Sequence, residues 1–482
     1  MTIRRRPWLP LLFAAALAGC DAAPPPDAHP SISPEDRELG AEQHPALLAE
    51  FGGAYAGPEA GYVARIGAKM AGAAGLGDQC TFTLVNSDVV NAFAVPGCYI
   101  YVTRGLLAVV TSEAELASVI GHEIGHIVGQ HAQRQQRRSF WRAIGVLAAG
   151  LTGSEFLTRI ASEAAQFFTL RYSRTQEYES DDLGIAYLRT AGYDPYAAAD
   201  MLGALARQEA YMTATAGRDE ARAIPEWALS HPLTENRVRR ARDDARKTGL
   251  ADDALPENVA PYLREVDGLL YGDDPEQGFV VGRRFAHPLM RIAFEAPPGF
   301  TLANSPQAIG LSGPNGVRGE FGGGAIPPGG LPAYVEQLAG RLLGDSAAAV
   351  GQPRARTING LPALIVPARI TTQAGTALLT IAAYDAGNGQ AYHFIMVTPP
   401  DNDGGAIEPL IESFHLLSQS EAAALRPRFI RVVAVGPGET QASLARRMAS
   451  DQGLALLRVL NGLGDAEALK PGRRLKIVAL ER

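Results

Sequence analysis

The stretch Gly121-His122-Glu123-Ile124-Gly125-His126 closes an apolar run that begins near Leu116. Leu116, Val119, Ile120, Ile124, Ile127 and Val128 recur at helical spacing, and Ser112 with Glu115 reads as a capping box, so a helix is expected here. Two histidines and a glutamate interrupt its apolar face. Such groups are costly to bury unless something binds them. Positions i and i+4 share one helical face about one turn apart, so both imidazoles can reach one cation. Glu123 beside them can approach a water held on that cation. The spacing predicts a zinc site with an open position for water, whose pKa falls to about 7, and Glu123 as general base.

Zinc needs a third protein ligand. His131 lies five residues past His126, which rotates it off the ligand face of a continuing helix, and it reads as structural or solvated. The better source is the stretch Ser173 to Asp181. Ser173 and Gln176 form a second capping box, the helix runs through Leu188, and Gly192 and Pro195 end it. Glu177 and Asp181 again stand at i and i+4. Glu177 is the candidate ligand, and Asp181 the group that orients a ligand histidine from behind. Glu179 reads as a solvated charge.

Upstream, Thr81–Val85 alternates like a strand, and Asn91–Val95, Pro96-Gly97 and Tyr99–Thr103 read as a hairpin. With these pieces together the chain resembles the HtpX- and BepA-type bacterial zinc metalloproteases, relatives of the CAAX prenyl and mitochondrial Oma-type endopeptidases. The resemblance spans about residues 35 to 240. It rests on Asn91-Ala92-Phe93-Ala94-Val95-Pro96-Gly97, on the opening motif, and on Ser173-Arg174 followed by Glu177 and Asp181. Cys98 stands where a second glycine is usual, and Ser180 replaces the usual alanine. The resemblance implies a zinc endopeptidase with one Zn2+ held by His122, His126 and Glu177. His231-Pro232 with Arg237 matches a further element of that family. It implies that His231 either stabilises the oxyanion or binds zinc and keeps the enzyme latent, with Arg237 bracing the loop. An unpaired strand edge offers backbone groups to an extended peptide. Asn91, Ala92 and Phe93 on one strand, or Tyr99–Thr103 on the other, would then carry the substrate.

The expected fold class is α+β. A mainly helical metalloprotease domain (33–250) with a small hairpin sheet precedes a linker (251–272), a β-rich accessory domain (273–420) and a small strand–helix–helix–strand unit (429–482). That last unit resembles a LysM module, which implies peptidoglycan as a partner. Asn388-Gly389 and Asn359-Gly360 signal hairpins in the accessory domain, and His287, His393 and His415 there read as structural. Phe140–Leu151 is apolar but too short to span a bilayer.

The 482 residues carry a net charge of −7, and no basic block lies beyond the N-terminus, which argues against nucleic acid as a partner. Arg4, Arg5 and Arg6 precede a short apolar stretch and Leu17-Ala18-Gly19-Cys20, which resembles a bacterial lipobox. A signal peptide (1–20), a lipidated Cys20 and a tether (21–32) follow as expectations, and with them a membrane-anchored, periplasm-facing location. Of three cysteines, two remain, Cys80 and Cys98. A disulfide and two separate buried thiols are the alternatives. The function expected is cleavage of misfolded or misassembled envelope proteins; the alternative is an assembly factor that binds unfolded envelope chains without cutting them.

Overall fold

Helical periodicity from residue 33 onward yields two helices. α1 (Pro34–Glu50) starts on Ser33, whose side chain accepts the Asp36 N–H. Gly52 and Gly53 at φ 81° and 83° stop it, and Ala54 bridges to Val85 before α2 (Glu59–Ala73) begins. The structure is a computed structural model that describes residues 31–134, 172–215, 227, 231, 235–343, 348–372, 375–400, 405 and 407–480. The expected signal peptide, Cys20, nearly all of the tether, Phe140–Leu151 and Pro232 lie outside the described residues. No described helix is long and apolar enough to cross a membrane.

β1 (Thr81–Val85), β2 (Ala92–Val95) and β3 (Tyr99–Thr103) form a sheet in the order β1-β3-β2, with β1 parallel and β2 antiparallel to β3. Ala92, Ala94, Ile100 and Val102 face the main core. Phe93, Val95 and Tyr101 face the other way, under Leu47 and Phe51. Of the two strands considered for substrate binding, Tyr99–Thr103 is central and has both edges paired, whereas β2 is at the edge. In the turn between them, Cys98 sits at φ 60° and is joined to Cys80 by a disulfide.

α3 (Arg104–Val109) leads into α4 (Glu113–Val128), the helix of the opening motif. Ser112 caps it by accepting the Glu115 N–H at 3.1 Å. The Glu115 carboxylate turns to the Thr111 N–H and hydroxyl, so only half of the expected box forms. A short α5 (His131–Arg134) follows. α6 (Arg174–Ala191) has its full capping box and ends on Gly192 at φ 76°. α7 (Ala197–Thr215) and α8 (Glu235–Lys247) complete the helical layer.

The two glycines of the opening motif are explained by the α4–α6 crossing. A Cβ on Gly125 would lie 2.9 Å from Ser180 Cα and 3.0 Å from its carbonyl oxygen. One on Gly121 would meet Gly184 Cα at 3.4 Å and the end of Met70 at 2.9 Å.

The expected linker 251–272 is instead part of the core. α9 (Val259–Glu265) buries Tyr262 and Leu263, and Leu270–Tyr271 adds a strand to Arg428–Ala434, itself paired with Arg474–Ala479. The last unit has the expected order, with helices Gln441–Ala445 and Gly453–Asn461 between its long strands. It does not stand alone. Leu456, Leu457, Leu460 and Ile477 join the core that also packs α2, α4 and the first sheet. Buried Lys476 donates from Nζ to the Ala108 and Val110 carbonyls at 2.6 and 2.7 Å, where α3 ends. A unit of about 50 residues buries too little apolar surface by itself, which gives this sharing a physical reason.

The accessory region has cores of its own. Strands Gly375–Asp385 and Gln390–Thr398 pair antiparallel in an eight-stranded sheet. The Asn388-Gly389 turn holds φ 54° and 73°, and Asn359-Gly360 holds 48° and 82°, as tight hairpin turns require. Helix Gly330–Leu343 packs on one face, and Phe294, Phe321, Phe394 and Phe414 fill another core.

Gly125→Ala tests the crossing. The added methyl meets backbone, which cannot swing away, so overpacking of about 1–3 kcal/mol is expected. The thermal midpoint should fall; an unchanged midpoint would show that the helices can separate at no cost.

Candidate metal centre and active site

α4 brings His122 and His126 to one face, α6 brings Glu177 opposite them, and His231 enters from the segment before α8. One ligand atom from each lies within 4.8 Å of the other three, and all four residues are buried. The Nε2 atoms of His122 and His126 are 3.1 Å apart. His231 Nδ1 is 3.3 Å from His122 Nε2 and 3.0 Å from Glu177 Oε1. Glu177 oxygens lie 3.6 Å from each of the two Nε2 atoms.

These distances allow a test of fit. Ligands held at roughly 2.0–2.1 Å around a tetrahedral zinc are about 3.3 Å from one another. The observed separations bracket that value. The donor set also has the chemistry of a cation site: three imidazoles and a carboxylate each bring one ligand atom to the same buried place. Glu123 is 1% exposed, and its Oε1 has no hydrogen-bond partner among the described residues. That oxygen is 3.6 Å from His231 Nε2.

The outer nitrogens are held as well. His122 Nδ1 lies 2.9 Å from Asp181 Oδ1, as expected of a carboxylate behind a metal-binding imidazole. Arg237 donates to both Asp181 oxygens, at 3.0 and 2.8 Å, and reaches Glu177 Oε2 at 2.7 Å. It therefore braces two carboxylates rather than a loop alone. On the other side, His126 Nδ1 meets His131 Nδ1 at 2.8 Å, and His131 Nε2 meets Glu179 Oε2 at 3.1 Å. His131 is fully buried. Of the two expectations for His131, structural or solvated, the solvated one is thus corrected, and Glu179, expected as a solvated charge, is paired with it although its side chain is still 35% exposed. The cause is local: α4 ends at Val128, and Gln130 takes φ 53°, so helical rotation no longer applies beyond the cap. Two aromatic rings also escaped the sequence reading. Tyr172 stacks on His126 at 3.8 Å, and Trp227 stacks on His231 at 4.2 Å. No spacing rule marks them, because they reach the site from separate segments.

The electrostatics set the buried groups of the site apart from one another. Burial would raise the Glu177 carboxyl, but His231, His122 and Arg237 hold it well below its usual range. Burial alone lowers an imidazole, yet Asp181 and Glu177 lift His122 to about 9. His126 is kept well below its usual value by burial and by the charge of His122. Burial raises Glu123 against the charges of His231 and His122, with the Ala94 N–H of β2 also lowering it. That Ala94 contact places the edge strand directly beside Glu123. Of the strand residues, Asn91 and Ala92 are buried and Phe93 is half-buried, stacked on Tyr101 at 4.7 Å.

Residues 58–245 match the model of Peptidase family M48. The Beta-barrel assembly-enhancing protease of Yersinia pestis is 34% identical over 34% of this chain and 34% of its own length. Mitochondrial metalloendopeptidase OMA1 of Arabidopsis thaliana is 40% identical over 23% of each chain. Metalloprotease LoiP of Escherichia coli (strain K12) is 26% identical over 36% of this chain and 66% of its own length. The chain thus spans about a third of the length of the first of these relatives and less of the second. The family match covers the sheet, α4, α6 and nearly all of α8, and so every residue of the cluster.

Arg237→Leu tests the brace. It leaves two buried carboxylates without their cation, a loss of about 3–5 kcal/mol where one partner of a buried pair is removed. The metal-free protein should melt well below wild type; an equal melting temperature would mean the carboxylates are neutral or hydrated instead.

Proposed function

We propose that the chain is a zinc endopeptidase that cleaves misfolded or misassembled proteins of the bacterial cell envelope. The observation that carries this reading is the convergence of His122, His126 and Glu177 beside a Glu123 oxygen with no hydrogen-bond partner among the described residues. Those three residues would hold the ion. When bound, zinc polarises the scissile carbonyl and lowers the pKa of an attacking water. Glu123 takes that water's proton and returns it to the leaving amine. Asp181 keeps the His122 proton on Nδ1, leaving Nε2 for the metal. An extended substrate strand would pair with β2, and the Ala94 contact with Glu123 sets where its scissile bond lies. Backbone pairing of this kind suits unfolded chains and confers modest sequence preference.

For His231, one observation favours a second state of the same enzyme. Its Nδ1 already stands among the donors, and His122, Glu123, Glu177 and His231 are all at most 2% exposed. A peptide cannot enter until something moves. The conformation fits a latent form with His231 as fourth ligand; oxyanion stabilisation by the same ring belongs to an opened form.

The envelope assignment is supported by the lipobox-like Leu17-Ala18-Gly19-Cys20 and by the name of the Yersinia pestis relative. With Cys20 lipidated, the chain would be anchored to a membrane and face the periplasm. The exposed turns of the last unit, around Pro437-Gly438 and Lys470-Pro471-Gly472, are the surface left for peptidoglycan. The alternative, an assembly factor that only binds unfolded chains, would use the same β2 edge.

Casein digestion and zinc content decide between the readings. Glu123→Gln should keep its zinc and lose about 10²–10⁴-fold in rate. Glu177→Ala should lose both. Equal digestion by wild type and Glu123→Gln would overturn the proteolytic reading. In the latent form, His231→Ala raises basal cleavage; a loss of cleavage with zinc retained would assign the ring to the oxyanion instead.

A further inference from the structure

The two histidines of α4 are not held alike. His122 has a carboxylate directly behind it, at 2.9 Å. His126 has another imidazole, at 2.8 Å. Two imidazole nitrogens at that distance share one proton: one ring donates and the other accepts. If His126 carried its proton on Nε2, that proton would point into the donor cluster, toward His122 Nε2 at 3.1 Å. The direction of the Nδ1 pair therefore decides whether His126 presents a lone pair to the cluster. His131 settles it through its far side. His131 Nε2 faces the Glu179 carboxylate at 3.1 Å, and a carboxylate only accepts, so the His131 proton belongs on Nε2. This leaves His131 Nδ1 as an acceptor. His126 must then donate from Nδ1 and offer Nε2 inward.

We propose that His131, set by Glu179, is a positioning residue for His126: it fixes the tautomer in which Nε2 faces the metal. The inference rests on the reading of His126 as a ligand. Several contacts support the relay. Ser180, buried on α6 where it abuts Gly125, places its Oγ 3.3 Å from the same His131 Nδ1 and can donate to it. Gln176 donates to the His131 carbonyl at 3.3 Å. Arg134 lies 3.0 Å from Glu179 Oε2 and pairs with it. Tyr172 covers the His126 face at 3.8 Å and holds the ring plane. Glu179 itself is only partly buried, with a side chain 35% exposed, so the relay begins at the surface and ends at the donor cluster.

The test is zinc affinity of the full chain, measured by competition with a chromogenic chelator at fixed pH, beside the melting temperature of the metal-free protein. Loss of a group behind a ligand histidine weakens metal binding about 10–100-fold. His131→Leu keeps bulk but removes the acceptor, and should show that loss. His131→Asn places an amide oxygen near the Nδ1 position and should recover most of the affinity. A merely structural histidine would not distinguish these two at equal melting temperature. Should His131→Leu also lower the metal-free melting temperature, Glu179→Ala at the surface decides: weaker zinc binding supports the relay, and wild-type affinity overturns it. His131→Leu with wild-type zinc affinity overturns it directly while leaving the zinc reading intact. Wild-type chain that binds no zinc overturns both. Wild type that binds zinc but cuts no casein overturns only the endopeptidase reading.

Discussion

The centre depends on how closely α4 and α6 can approach. A metal site needs ligand atoms about 3.3 Å apart, and side chains of fixed length can meet that only if their backbones come near enough. Gly125 allows it. With Ser180 Cα 2.9 Å from where a Cβ would stand, the crossing is at backbone contact, one residue before His126 and three after Glu177. Gly121 and Gly184 repeat the arrangement one turn away. The same crossing lays Asp181 behind His122 and Ser180 beside His131. One steric condition thus assembles the candidate ligands and the groups behind them.

A dense set of buried charges is tolerated only as a set. Glu123, Glu177 and Asp181 are all nearly unexposed, and each alone would protonate or unfold the site. Arg237 compensates two of them at distances of 2.7 to 3.0 Å. Glu123 remains, with one oxygen lacking a partner among the described residues. Burial raises its pKa, whereas Glu177 is held well below the usual carboxylate range. The asymmetry between a compensated Glu177 and an uncompensated Glu123 separates the candidate ligand from the candidate base, although both are glutamates a few ångströms apart.

Much of this was legible in the residues. The i, i+4 pairs on α4 and α6, both cap positions and the two Asn-Gly hairpins follow from local rules, and local rules survive burial in a larger fold. What was missed lies where a local rule was carried past its limit. His131 was rotated off the site by assuming a helix that Gly129 and Gln130 had already ended. Tyr172 and Trp227 reach the donors through tertiary approach, which no periodicity records. The linker was misjudged for the opposite reason: 251–272 is rich in turn formers at its start, but Tyr262, Leu263 and Leu269 are a buried set that shares its core with residues far downstream, such as Ile430 and Ile477.

That last contact changes how the small C-terminal unit should be viewed. A freely tethered module would have its own closed core and a polar face toward its neighbour. Here the strand Leu270–Tyr271 completes its sheet, and its Lys476 satisfies carbonyls at the end of α3, three residues before the Ser112 cap of the metal helix. Helix ends leave their last carbonyls without partners, so the buried Lys476 amine that donates there closes the end of α3. Detaching the last unit would expose apolar surface of the shared core and leave those carbonyls without the Lys476 donor. The unit is a structural part of the core that carries α4.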